Sequence, residues 1–186
     1  ERIMPAMLER EGLFVNSSKT ERYHISRGIS DDSWKKCKYL GSMLDTTEDI
    51  KRRKCLAIDS YKTLEHIFKR KQISENIRLR VIKTYVESIF LYNSELWTMT
   101  KQLENEVDSF HRKLIRKVIH VIYPRIITNE DLYRRTKVIP WSVIIFRKRI
   151  SWFGHLMRLP SNTPARIALN HFIKPVKKPK WLYSVF

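Results

Sequence analysis

A chain of 186 residues, 42% hydrophobic and 11% aromatic, is long and apolar enough for one packed domain with an appended piece, which excludes wholesale disorder. Its four glycines are too few for an all-β fold with many tight turns. A net charge of +18 and an isoelectric point near 10.1 ask for a polyanionic partner, because each cation on a phosphate releases a condensed counterion. The charge is unevenly placed. Residues 1–45 carry eight Lys/Arg against seven Asp/Glu, and residues 46–186 carry the remaining 29 against 12, a net of +17. After Asp131 no acidic side chain occurs, while twelve Lys/Arg follow. A one-signed stretch of this kind fits nucleic acid better than a membrane surface. The longest apolar run, Val138 to Phe146, is cut off by Arg147-Lys148-Arg149, well short of a membrane span. Cys37 and Cys55 with no signal peptide point to a reduced intracellular compartment, nuclear or cytoplasmic.

In chain order, residues 1–11 read as the end of a helix stopped by Gly12. Leu13–Val15, Tyr23–Arg27 and Lys36–Leu44 are predicted strands, the last with Gly41 allowing a bulge or a close backbone approach. The polar run Gly28–Ser33 is a turn. From Thr47 the period turns helical: Ile50, Lys54, Ala57, Ile58, Tyr61, Leu64 and Phe68 recur at three- and four-residue steps over six turns. Lys51, Lys62 and Lys69 fall on one flank of that stripe, a predicted row about 27 Å long. Ser74 caps a second helix bearing Leu79, Ile82, Val86, Ile89 and Phe90. Thr100 opens a third, with Leu103, Val107, Phe110, Leu114, Val118 and Val121 as its apolar stripe and Pro124 as its stop. Thr128 and Asp131 form a capping box for a short fourth helix. Pro140 starts a fifth, running to about Leu159, after which four prolines break up a basic tail.

The fold class expected is therefore α+β but mostly α: a small β-hairpin followed by a bundle of about five helices. Four regions follow: 1–45 with the hairpin, 46–123 as a helical bundle, 124–160 as a helical connection, and 161–186 as the tail. Cys37, Cys55, His111, His120 and His171 lie too far apart for zinc-knuckle spacing. His155 accordingly reads as a packed helical histidine, and no metal site is predicted.

Gly12-Leu13-Phe14-Val15-Asn16-Ser17-Ser18-Lys19-Thr20, followed by Lys38-Tyr39-Leu40-Gly41-Ser42, resembles the back half of the palm of a non-LTR retrotransposon reverse transcriptase. Tyr85 through Trp97 and Thr98 is similar to a later stretch of the same family, with Asn93 where a glycine is usual; Asn tolerates the left-handed angles a turn there needs. Trp152-Phe153-Gly154-His155-Leu156-Met157-Arg158 resembles a tryptophan-leucine-glycine-histidine block of that family. The likeness runs from about residue 7 to residue 160.

The resemblance implies a palm remnant, a thumb and a connection region. Lys19 would contact the phosphates of the incoming nucleotide or act as general acid in the full enzyme, against the plainer reading of an exposed lysine. Tyr39, Leu40 and Gly41 would form the primer grip. Lys51, Arg52 and Arg53 with Lys62, Lys69, Arg70 and Lys71 would line the thumb, and Arg147, Lys148 and Arg149 a further basic cluster; the plainer reading is a bundle with solvated basic ends. The partners implied are RNA, an RNA–DNA hybrid or a DNA duplex, together with the upstream palm and fingers of the same polypeptide, and no membrane. Magnesium is expected for the full-length enzyme and no cofactor for this chain, whose catalytic aspartates would precede residue 1. The alternative is an independent or domesticated basic helical module that binds nucleic acid or protein without polymerase activity.

Overall fold

The computed structural model describes residues 3–20, 33–121 and 123–173. The predicted strand Tyr23–Arg27 and the stretch from residue 174, with Pro175 and Pro179, lie outside them. The chain divides into two compact units, 1–45 and 46–186. The class is the expected one, mostly helical with a two-stranded antiparallel hairpin preceding the bundle, but the described residues form eight helices rather than about five.

In the first unit, α1 (Ile3–Arg10) ends at Gly12, whose φ of +73° suits a residue without Cβ. The Leu13 amide reaches back to the Leu8 carbonyl at 2.9 Å and that of Gly12 to the Glu9 carbonyl at 3.0 Å, closing the helix end. Leu13–Val15 does not form a strand. The Asn16 carboxamide oxygen accepts from the Ser18 and Lys19 amides at 3.1 and 3.3 Å, so the chain curls into a single 3₁₀ turn, Ser17–Lys19.

The stretch read as one strand from Lys36 to Leu44 instead begins in a 3₁₀ turn, Ser33–Lys36, and then folds back on itself. β1 (Lys38–Tyr39) pairs with β2 (Ser42–Met43), Tyr39 opposite Ser42. Leu40 and Gly41 both have positive φ, 46° and 84°, the two-residue turn that matches the strand twist. A leucine in that conformation costs of order 1 kcal/mol or more, which is why the sequence hides this turn.

The second unit is built from α2 (Thr46–Thr63), α3 (Glu65–Phe68), α4 (Glu75–Ile82), α5 (Lys101–Val118), α6 (Asn129–Thr136), α7 (Trp141–Arg158) and α8 (Pro164–Ile173). α4 runs on through a π turn, Lys83–Glu87, into a last turn, Ser88–Phe90. The six-turn helix expected over Ile50–Phe68 is thus interrupted at Leu64 (φ −93°, ψ 0°). α2 packs on the second half of α4, α5 on α4 and α7, and α8 on α7. Ile50, Ala57, Val86, Phe90, Val107, Val118 and Trp141 meet in one core.

Capping follows the sequence closely. The Ser74, Thr100 and Thr128 hydroxyls accept from the amides of Ile77, Leu103 and Asp131. Two boundaries differ. α5 ends before Pro124, at a left-handed His120 (φ 58°), where the Val121 amide bonds the Arg116 carbonyl and that of His120 the Lys117 carbonyl. Pro164, expected to break the tail, is the first residue of α8, where its missing N–H costs nothing.

Candidate nucleic-acid interface

In the first unit, Lys19 is exposed at the end of its 3₁₀ turn. Tyr39 and Leu40 are 66% and 74% exposed, presented by the hairpin turn at Gly41.

In the second unit the expected thumb residues separate into three kinds. Lys51, Lys62 and Lys69 point outward, each beside a carboxylate one turn back: Glu48 at 2.8 Å, Asp59 at 3.9 Å and Glu65 at 3.3 Å. Exposed pairs like these are worth about 0–1 kcal/mol, so a phosphate can displace the carboxylate at small cost, but it does not meet a bare cation. The break at Leu64 also ends the straight row after Lys62, leaving about 16 Å between Lys51 and Lys62 along one helix.

Arg53 is of the second kind. It is 5% exposed, 3.8 Å from the Asp49 carboxylate, bonded to the Ile89 carbonyl at 3.4 Å and set over the Tyr92 ring at 4.7 Å. Burial lowers its pKa, opposed by Asp49. It is a structural cation held inside, not one presented to a phosphate. Arg52, half-buried, lies 4.0 Å from the same carboxylate.

Arg70 and Lys71, exposed in the loop after α3, form the third kind, with no ion pair among the described residues. In α7, Arg147 is likewise exposed with no ion pair there, and Arg149 is half-buried. Lys148 donates to the Leu91 carbonyl and lies 3.5 Å from Glu95. The consecutive cluster is therefore split by the helix, as successive residues point about 100° apart. In the same helix His155 is exposed, not packed, while Leu156 is buried.

Two buried polar groups, Asp49 and His111, and one half-buried one, Glu87, escaped the sequence reading. Asp49, fully buried, accepts from the Trp97 indole at 2.9 Å. Glu87 accepts from the Trp141 indole at 2.9 Å, and burial raises its pKa against the pull of that bond, Lys83 and Lys148. His111, 1% exposed, stacks on one side of the chain of rings His111–Trp141–Phe90, with centroid separations of 4.4 and 4.3 Å. Burial, with Arg112 nearby, lowers its pKa to about 3, so its imidazole is neutral. Its Nδ1 has no hydrogen-bond partner. The one available signal was its spacing, four residues after Val107 and three before Leu114, which puts it on the buried stripe of α5.

Glu87 and His111 line a cleft of about 380 Å³ between α4, α5 and the segment joining α6 to α7. Its buried wall includes Ile82, Ile115 and Trp141, and its outer side chains include Arg80, Lys83 and Lys137.

No family model, characterised protein or solved structure matches this chain. Among the described residues, no group of three or more His, Cys, Asp or Glu side chains is placed to hold a metal ion. No helix among the described residues is long and apolar enough to cross a membrane.

Proposed function

We propose that this chain is the palm end, thumb and connection region of a non-LTR retrotransposon-type reverse transcriptase. In its complete form that enzyme is an RNA-directed DNA polymerase, and this region holds template–primer duplex or element RNA by phosphate contacts. The observation that carries the reading is the hairpin at Tyr39-Leu40-Gly41, which keeps its aromatic and its leucine on the outside although burial would favour both. Exposed apolar side chains on a two-residue turn suit a surface that meets a sugar–phosphate backbone or a base. The charge supports it further. Within the helical unit most carboxylates are already matched to a cation, so the surplus sits on residues such as Arg70, Lys71 and Arg147.

The second reading, a basic module acting without polymerase sequence, draws on the helical unit's possession of its own buried core. Duplex binding measured against salt tests the phosphate contacts, and a polymerase aspartate box in the reading frame upstream of residue 1 separates the two readings. Six neutralised phosphates give a slope of log K against log salt of about −5. Changing Arg70 and Lys71 to Gln should flatten the slope by up to about 1 for each residue, and by more than the Lys51 and Lys62 pair, whose neighbouring carboxylates already offset them. A slope near zero in the unaltered chain would refute the phosphate-binding reading and favour a protein partner.

A further inference from the structure

We propose that the cleft between α4, α5 and the α6–α7 segment is a binding site for a single nucleotide unit, a flat heteroaromatic ring carrying a phosphate. This goes beyond backbone contact with a duplex and stands without it. Three features of the cleft select the ligand. Its volume, about 380 Å³, falls in the range of small-molecule sites, roughly 300–1,000 Å³. Its outer side chains Arg80, Lys83 and Lys137 are cationic and exposed, and Arg80 and Lys137 form no ion pair among the described residues. Cations grouped at one mouth take an anionic head group, with Arg suited to two phosphate oxygens at once.

The inner wall supplies the third. It is mostly apolar, its polar groups being the Glu87 carboxyl, the His111 ring and the Thr136 hydroxyl, which donates to the Leu132 carbonyl at 2.7 Å. The His111 Nδ1 has no partner but is shielded from solvent, so the polar atom this wall offers a ligand first is the Glu87 oxygen that Trp141 does not hold. A neutral imidazole offers one donor and one acceptor, and Glu87 beside it has one oxygen held by the Trp141 indole. An aliphatic carboxylate would satisfy the mouth and leave this wall unmatched. A heterocycle with donors and acceptors on its edge satisfies both. Both faces of the Trp141 ring are already covered, by Phe90 and His111, so the base is held by its edges and not by stacking on that indole.

The test is a titration of the purified chain with AMP, adenosine and hexanoate, followed by ligand-observed NMR. AMP is expected to bind at least about tenfold more tightly than either of the others, since a charge-assisted bond and a matched buried group are each worth that much. The double variant Arg80→Gln with Lys137→Asn should weaken AMP about tenfold and leave adenosine unchanged; Asn is chosen because residue 137 has φ 53°. His111→Phe should weaken AMP and adenosine alike, and the mouth variant, at exposed positions, carries the test if His111→Phe does not fold. The Arg70→Gln/Lys71→Gln pair should leave AMP binding untouched while flattening the salt slope of duplex binding, which separates this site from the duplex surface. Displacement of AMP by single-stranded oligonucleotide would assign the unit to an unpaired residue of a strand, and failure to displace it would assign it to a free nucleotide. Equal affinity for AMP and hexanoate, no AMP binding, or AMP binding unmoved by the mouth variant would overturn the proposal.

Discussion

Replacing Asp49 by alanine should cost this fold about 3–5 kcal/mol, the usual consequence of stranding one partner of a buried ion pair. The carboxylate is fully buried, 3.8 Å from the Arg53 guanidinium, and also accepts the Trp97 indole N–H at 2.9 Å. Its removal leaves a charge in a site whose burial already depresses the Arg53 pKa, together with an unmatched indole. Asp49→Asn keeps an acceptor for Trp97 and loses only the charge, so about 1–2 kcal/mol is expected. Removing both charges, in Asp49→Ala with Arg53→Met, should be milder than the sum of the two single changes by about 1–3 kcal/mol. Urea unfolding followed by circular dichroism measures the four variants, Arg53→Met included, and the unaltered chain, with the slope checked for constancy. A cost below about 1 kcal/mol for Asp49→Ala would refute the reasoning, as would strict additivity. So would Arg53→Met that weakens duplex binding at undiminished stability, because Arg53 would then be a phosphate ligand after all.

His111 gives a pH dependence with a definite sign. Its pKa falls from 6.5 unfolded to about 3 folded, so between these values the unfolded chain binds more protons. Its contribution is fully present above pH 6.5 and is lost as pH falls, by up to about 1.4 kcal/mol per pH unit. Glu87 acts the opposite way: its raised pKa means a contribution present at low pH and lost as pH rises through the folded value. Unfolding free energies at pH 7 and pH 5 should therefore differ less in His111→Phe than in the unaltered chain, and an equal difference would exclude His111 as the source. Asn93, at φ 56°, should accept Gly far better than Val, the latter costing about 1–2 kcal/mol in thermal melts. Equal melting of the two variants would mean that the left-handed turn does not matter.

What was legible in the sequence was local. Gly12 as a stop, Ser74, Thr100 and Thr128 as caps, and Asn93 as a left-handed residue each depend on chemistry within four positions. The apolar stripe of α5 was equally readable, since Val107, Leu114 and Val118 repeat at helical spacing and are buried. The misread features either lack the residue that usually announces them or depend on distant partners. The Leu40–Gly41 turn lacks the Asn or Gly that usually announces a left-handed first position, and His120 ends α5 where a glycine would be looked for. Arg53 looked like one more cation in a basic run. Its burial comes from Asp49 one turn back and from Ile89 and Tyr92 on the neighbouring segment, and no pattern within α2 reveals the last two.

The start of α7 is secured from elsewhere in the bundle. Pro140, just before it, provides no side-chain cap; Asp108 in α5 does so, accepting from the Ser142 amide at 2.9 Å and its hydroxyl at 2.7 Å. The direction of α7 is thus dictated by the helix it lies on, while the intervening residues serve as a tether. Such a joint tolerates a spacer of changed length, and even a severed one, because the two pieces carry matching halves of the same fastening.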